Sequence, residues 1–123
     1  MAKGHQLKVE LLTAEAFKPF GQLIEAQGRA PDYRGTSGTQ LWGLDCQIDG
    51  RLQLGFVRVP YQGLTFRAME QHYGVTQGFI PAGGPPAVVA VSAPTDRHTI
   101  PSPEDVRAFL LDGTKGYILH KNT

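Results

Sequence analysis

The stretch LWGLDCQIDGRLQLGFVRV, residues 41–59, reads as two extended segments around a two-residue turn. Asp49-Gly50 suits a type I′ turn, which needs positive φ at both central residues. Side chains alternate across a strand, so Leu52, Leu54, Phe56 and Arg58 share one face. Three large apolar residues mark that face as the core side and carry Arg58 with them. A second turn, PYQG at 60–63, leads into LTFRAMEQH at 64–72. There Phe66, Ala68, Glu70 and His72 fall on one face, and the mostly polar Thr65, Arg67, Met69 and Gln71 on the other. The first of these faces is expected to point inward. Trp42, Phe56 and Phe66 read as core residues rather than substrate stackers.

Further strands are expected at 6–12 (QLKVELL), 22–25 (QLIE), 76–81 (TQGFIP), 87–93 (AVVAVSA) and 117–122 (YILHKN). Thr13 is placed to cap a short helical turn, AEAF, that Pro19 and Gly21 end. SPEDVRAFLLDG at 102–113 predicts a helix, with Ser102 at the N-cap, Pro103 at the first position, acidic residues near the positive end of the dipole and Gly113 at the stop. Residues 27–40, QGRAPDYRGTSGTQ, are polar and glycine-rich and read as a mobile loop or lid. Many short strands with regularly spaced turns predict one mainly β domain, an antiparallel sandwich or barrel with one or two short helices.

Composition narrows the function classes. The chain has 123 residues, with 15 Gly and 9 Pro that fit a turn-rich β architecture. Twelve basic residues face eleven acidic ones, which gives no electrostatic reason to expect nucleic acid or an anionic membrane as partner. The single Cys46 cannot form an internal disulfide, and no zinc-type cysteine spacing occurs. No apolar run approaches the ~20 residues that span a bilayer, and no long apolar stretch at the start suggests a signal peptide. A cytoplasmic location is expected.

Two neighbouring strands thus bring Arg58, Glu70 and His72 to an otherwise apolar interior. Unpaired buried charge is costly, so such groups pair or serve a site. One reading is a structural salt bridge between Arg58 and Glu70 at the rim. The other is a ligand site at a barrel mouth, with His72 as its titratable group.

The chain resembles the ureidoglycolate lyase (ureidoglycolate hydrolase) family of the cupin superfamily. The residues that carry the likeness are Glu70-Gln71-His72, Thr76-Gln77, Phe79-Ile80-Pro81 and the valine-rich 88–91, with LTAEAFKPFGQLIE, GFVRV and RAFLLDGTKGYILHKNT in support. It covers almost the whole chain apart from a variable loop at about 27–40. The family pattern "ERHP" is Glu70-Gln71-His72-Tyr73 here, Arg67-Ala68 stands where some members carry His and Glu, and the chain stops at Thr123, before the family's Trp-His-His-Pro segment. The resemblance implies a single cupin-like, jelly-roll type β-barrel over 1–123, C-terminally shortened, whose missing strands expose sheet edges.

The resemblance further implies cleavage of (S)-ureidoglycolate to glyoxylate and urea in allantoin and purine breakdown. That reaction needs a base for the substrate hydroxyl, a proton donor for the departing urea nitrogen and a cation or dipoles for the carboxylate. His72 suits the base or acid, and Glu70 tunes it or carries the second proton. Arg58 would hold the carboxylate bidentately, Gln77 would bond the ureido group, and His120 would complete the pocket. Gln77 equally suits a structural bond at its corner. Arg67 and Lys121 read as solvated charges, and His5 and His98 receive no role. No organic cofactor is expected. Many cupins hold a divalent ion through His-x-His, which is absent here. Glu70 and His72 could face one ion with His120 as a third ligand, so a metal such as nickel stays open. A small-molecule substrate and a homodimer are implied. The alternatives are a non-catalytic or truncated cupin that binds a small carboxylate, and a metal-dependent cupin isomerase or dioxygenase.

Overall fold

A computed structural model describes residues 4–48 and 50–123. The strands are β1 (Val9–Leu11), β2 (Gly21–Ile24), β3 (Tyr33–Arg34), β4 (Gln40–Leu41), β5 (Gln77–Phe79), β6 (Ala87–Ser92), β7 (Val106–Leu111) and β8 (Gly116–Leu119). One helical turn, α1 (Ala14–Phe17), and one 3-10 turn, Pro103–Asp105, complete the elements. The architecture is mainly β and compatible with a cupin-like fold. One sheet has the order β1-β7-β6, a second β2-β8-β5, and β3 pairs with β4 alone. Among the described residues these sheets are not joined into a closed barrel, and β1 runs parallel to β7.

Local signals position the first elements. Thr13 accepts a hydrogen bond from the Ala16 amide at 3.2 Å and caps α1 as expected. One turn of helix then delivers Phe17 to the core, and Phe20 follows at the i+3 position. Phe17, Phe20, Leu23, Val91, Phe109 and Tyr117 form the buried cluster between the two larger sheets. The Phe17 ring meets Phe109 edge-on at 5.3 Å and Tyr117 at 5.5 Å, arrangements that aromatic quadrupoles favour. Burial pushes the Tyr117 phenol up to about 12. Gly21 sits so close to the Ile118 backbone that a β-carbon would overlap the carbonyl. A glycine there lets β2 pair tightly with β8.

Three expectations are corrected. The predicted helix at 102–113 winds only over Pro103–Asp105. Its start signals are local and real: the Ser102 amide donates to Asp105 Oδ2 at 3.2 Å. The following VRAFLL is a short apolar run, which periodicity alone cannot assign. It becomes β7 because strands flank it on both sides and satisfy its backbone, with Val106, Ala108 and Phe109 buried. Gly113, read as a helix stop, adopts φ +89° in the turn to β8.

The second correction concerns 41–72. Between β4 and β5 no described residue belongs to a helix or strand; Asp49 of the expected turn lies outside the described residues. Leu52, Leu54 and Phe56, the expected core face, are 71%, 94% and 78% exposed, and Phe66 is 53% exposed. Alternation identifies which residues would share a face, but a face is buried only where another layer covers it. The loop at 27–40 is no plain lid either. It folds into the β3–β4 hairpin, pinned by a bidentate Arg29–Asp32 pair at 2.7 and 3.0 Å and by Trp42 Nε1 donating to the Arg29 carbonyl.

Arg107 ties β7 to β1 and α1. Its guanidinium donates to both Glu10 oxygens at 2.6 and 2.8 Å and to the Ala16 carbonyl at 3.1 Å. The hydrogen bond from Arg107 holds the Glu10 carboxyl below its usual 4.5. A depressed folded pKa contributes stability above the unfolded value, and the contribution vanishes as pH falls through the folded value. The melting temperature should therefore drop on acidification below about pH 4.5, and Glu10→Gln should flatten that drop. Parallel melting curves for the two proteins across this range would remove the pair from acid stability.

Candidate functional site

The C-terminal end of β8 leads to His120, one of the functional candidates, beside a cleft. The register that sets Gln77 opposite Leu119, and Gly21 opposite Leu119 on the other side, carries Thr76 and Phe20 to the level of His120. The His120 amide indeed donates to the Phe20 carbonyl at 2.9 Å. Lys18, Gly21, Gln22, Asp45, Gln47, Thr76, His120 and Lys121 thereby line a cleft of about 600 Å³.

Two side chains fasten its walls. Gln22 Nε2 donates to the Asp45 carbonyl at 2.6 Å. The Thr76 hydroxyl accepts from the Gln47 amide at 3.0 Å and donates to the Gln47 carbonyl at 3.1 Å. An otherwise irregular 45–47 segment is thus held at two points. His120 is oriented by the backbone of α1: its Nε2 lies 3.1 Å from the Lys18 carbonyl. A carbonyl only accepts, so Nε2 carries the proton and Nδ1 is the basic nitrogen of the neutral ring.

The Glu70–His72 pair stands on the other side of the same chain end. The Asn122 amide donates to the His72 carbonyl at 2.9 Å. Glu70 Oε2 lies 3.7 Å from His72 Nε2, with the side chains 90% and 43% exposed. That is a weak ion-pair distance, too long for a hydrogen bond. Although the His72 ring is half exposed, Nε2 itself is buried and has no hydrogen-bond partner among the described residues. An orphaned buried nitrogen costs free energy that neither folding nor the ion pair recovers.

Gln71 locks this arrangement. Its amide donates to the Thr95 carbonyl, the Thr95 hydroxyl and the Asn122 carbonyl at 3.0, 3.0 and 2.7 Å, while Tyr73 Oη donates to its oxygen. Arg97 covers the Tyr73 ring at 4.6 Å. The two departures from "ERHP", Gln71 and Tyr73, are therefore bonded to each other.

Of the sequence candidates, Glu70 and His72 are brought together, Gln77 lies on β5 next to Thr76, and His120 lines the cleft. Arg58 stays exposed on the irregular 50–69 segment, outside the cleft. Sequence reasoning missed Lys18, Gln22, Asp45 and Thr76. The fastening contacts join residues 23, 29 and 102 positions apart, which no local pattern announces. Among the described residues no group of three or more His, Cys, Asp or Glu gathers to hold a metal ion. No helix among the described residues is long and apolar enough to cross a membrane.

A family model described as ureidoglycolate lyase matches residues 4–123. A ureidoglycolate lyase of Azotobacter vinelandii (strain DJ) is 34% identical over 119 residues, which is 89% of this chain and 69% of that protein. The ureidoglycolate lyase of Pseudomonas paraeruginosa (strain PA7) is 31% identical over 122 residues, 94% of this chain and 70% of that protein. That of Escherichia coli K12 is 29% identical over 126 residues, 95% of this chain and 75% of that protein.

Proposed function

The chain belongs to the ureidoglycolate lyase family, and we propose that it cleaves ureidoglycolate to glyoxylate and urea as a carbon–nitrogen lyase. The observation that carries this beyond family membership is the orphaned His72 Nε2 beside Glu70, on a chain end that also presents His120 to a cleft.

The chemistry divides between these groups. Loss of the carbinol proton turns the C–OH carbon into an aldehyde as the electrons of the C–N bond leave with the urea nitrogen, which takes a proton. One imidazole accepts the first proton and a second acid supplies the other. His72 takes the role of acceptor, with Glu70 close enough to stabilise the imidazolium that results. Gln77 bonds the ureido group, and His120 closes the site from the β8 end. A cytoplasmic enzyme of allantoin and purine breakdown, acting as a homodimer, fits this reading. A second copy would also cover part of the apolar 50–69 segment.

The direct test is glyoxylate release from racemic ureidoglycolate against a protein-free control, since the substrate decays by itself. Release above the control that stops near half of the racemate is expected. Release equal to the control would overturn the proposal.

A further inference from the structure

The cleft at the end of β8 contains more polar side chains than folding uses. Gln22 and Thr76 fasten its walls, whereas the Lys18 ammonium, exposed at the end of α1, takes part in no ion pair among the described residues. Lys18 lines the cleft together with Lys121. The Lys18 carbonyl holds His120 Nε2 at 3.1 Å, and the residue itself lines the cavity beside His120. The tautomer that results leaves Nδ1 as the basic nitrogen. Two lysines, Lys18 and Lys121, thus line the cavity with His120 and one acidic residue, Asp45.

We propose that this cleft is a monocarboxylate subsite in which Lys18 anchors the carboxylate of a ureido acid next to His120. The anchoring role expected of Arg58 thereby passes to Lys18, the residue that ends α1. An ammonium is a compact point charge that suits one carboxylate. The volume of about 600 Å³ accommodates a small ligand of this kind. The subsite rests on the lyase reading for the identity of its ligand, but its existence is tested without turnover.

The probe is N-carbamoylglycine, which keeps the carboxylate and ureido group of ureidoglycolate and lacks the hydroxyl, so it cannot be cleaved. Calorimetric titration of the full chain should show binding, weakened about 10-fold or more in Lys18→Met and largely kept in Lys18→Arg. With ureidoglycolate, Lys18→Met should raise KM by a similar factor with kcat nearly unchanged, the signature of an interaction made equally in ground and transition states. No binding of N-carbamoylglycine to the parent, or equal binding by Lys18→Met, overturns the subsite. The two readings fail separately. Lys18-dependent binding without glyoxylate release sinks the lyase assignment alone, and glyoxylate release with an unchanged KM in Lys18→Met sinks the subsite alone.

Discussion

Replacing His72 by alanine lowers glyoxylate release by about 10²–10⁴-fold, the range that positioned acid–base groups supply, while the folded protein persists. The separation of these two effects follows from the contacts. The backbone carbonyl of His72 accepts the Asn122 amide, and alanine retains that bond. The imidazole Nε2 makes no hydrogen bond that the substitution would lose. Its ion pair with Glu70 is long, at 3.7 Å, and its carboxylate side is exposed, a kind worth ~0–1 kcal/mol. Removing the ring also removes a buried unsatisfied nitrogen, which offsets part of the lost packing. Thermal unfolding of the variant should therefore stay close to the parent. Glu70→Gln keeps the shape and removes the charge beside His72, so it should lower kcat by less than His72→Ala does. A parent-like rate in His72→Ala would remove this residue from the chemistry and leave His120 as the titratable group of the site.

What could be read in the chain without coordinates divides by distance along it. The Thr13 cap, the entry of β2, the strands at 77–79 and 87–92 and the closeness of Glu70 to His72 all depend on neighbours a few residues apart. Glu70 and His72 lie one pleat apart, so an extended backbone suffices to make them meet. Residues 106–111 were unreadable for the opposite reason. The N-cap chemistry of Ser102 and Asp105 is equally good before one turn or before three. The choice falls to β1 and β6, which approach from 9–11 and 87–92. The 50–69 segment has a strand's alternation without a described partner, so pattern and pairing disagree there. The cleft is the extreme case: Lys18 and His120 are 102 positions apart, and only the pairing of β2 with β8 brings them together. The closeness of Glu70 to His72 was legible along the chain, whereas the contact of Lys18 with His120 was not.

Phe109→Ala should be the most damaging single change to stability, at about 3–5 kcal/mol, the usual cost of deleting a fully buried aromatic side chain. Phe109 has no exposure and packs against Phe17 and Phe20 at 5.3 and 5.7 Å. It also lies under the Arg107 guanidinium at 5.2 Å, so the cavity would open at the junction of α1, β1 and β7. A domain of this size has only ~5–15 kcal/mol in total, so the variant should unfold at a much lower urea midpoint. Phe56→Ala is the informative partner. Alternation places Phe56 on a core face, yet it is 78% exposed, and substitution of such a residue should change stability by no more than ~0.5 kcal/mol. Urea titration of both variants compares the two descriptions directly. A large loss for Phe109→Ala alone means that the core is the aromatic cluster between β7, β8 and α1. An equal loss for Phe56→Ala would mean that the 50–69 segment is buried in the working protein. In that case concentration dependence of the Phe56→Ala effect identifies a second copy as the cover, and its absence returns the segment to a sheet within the chain.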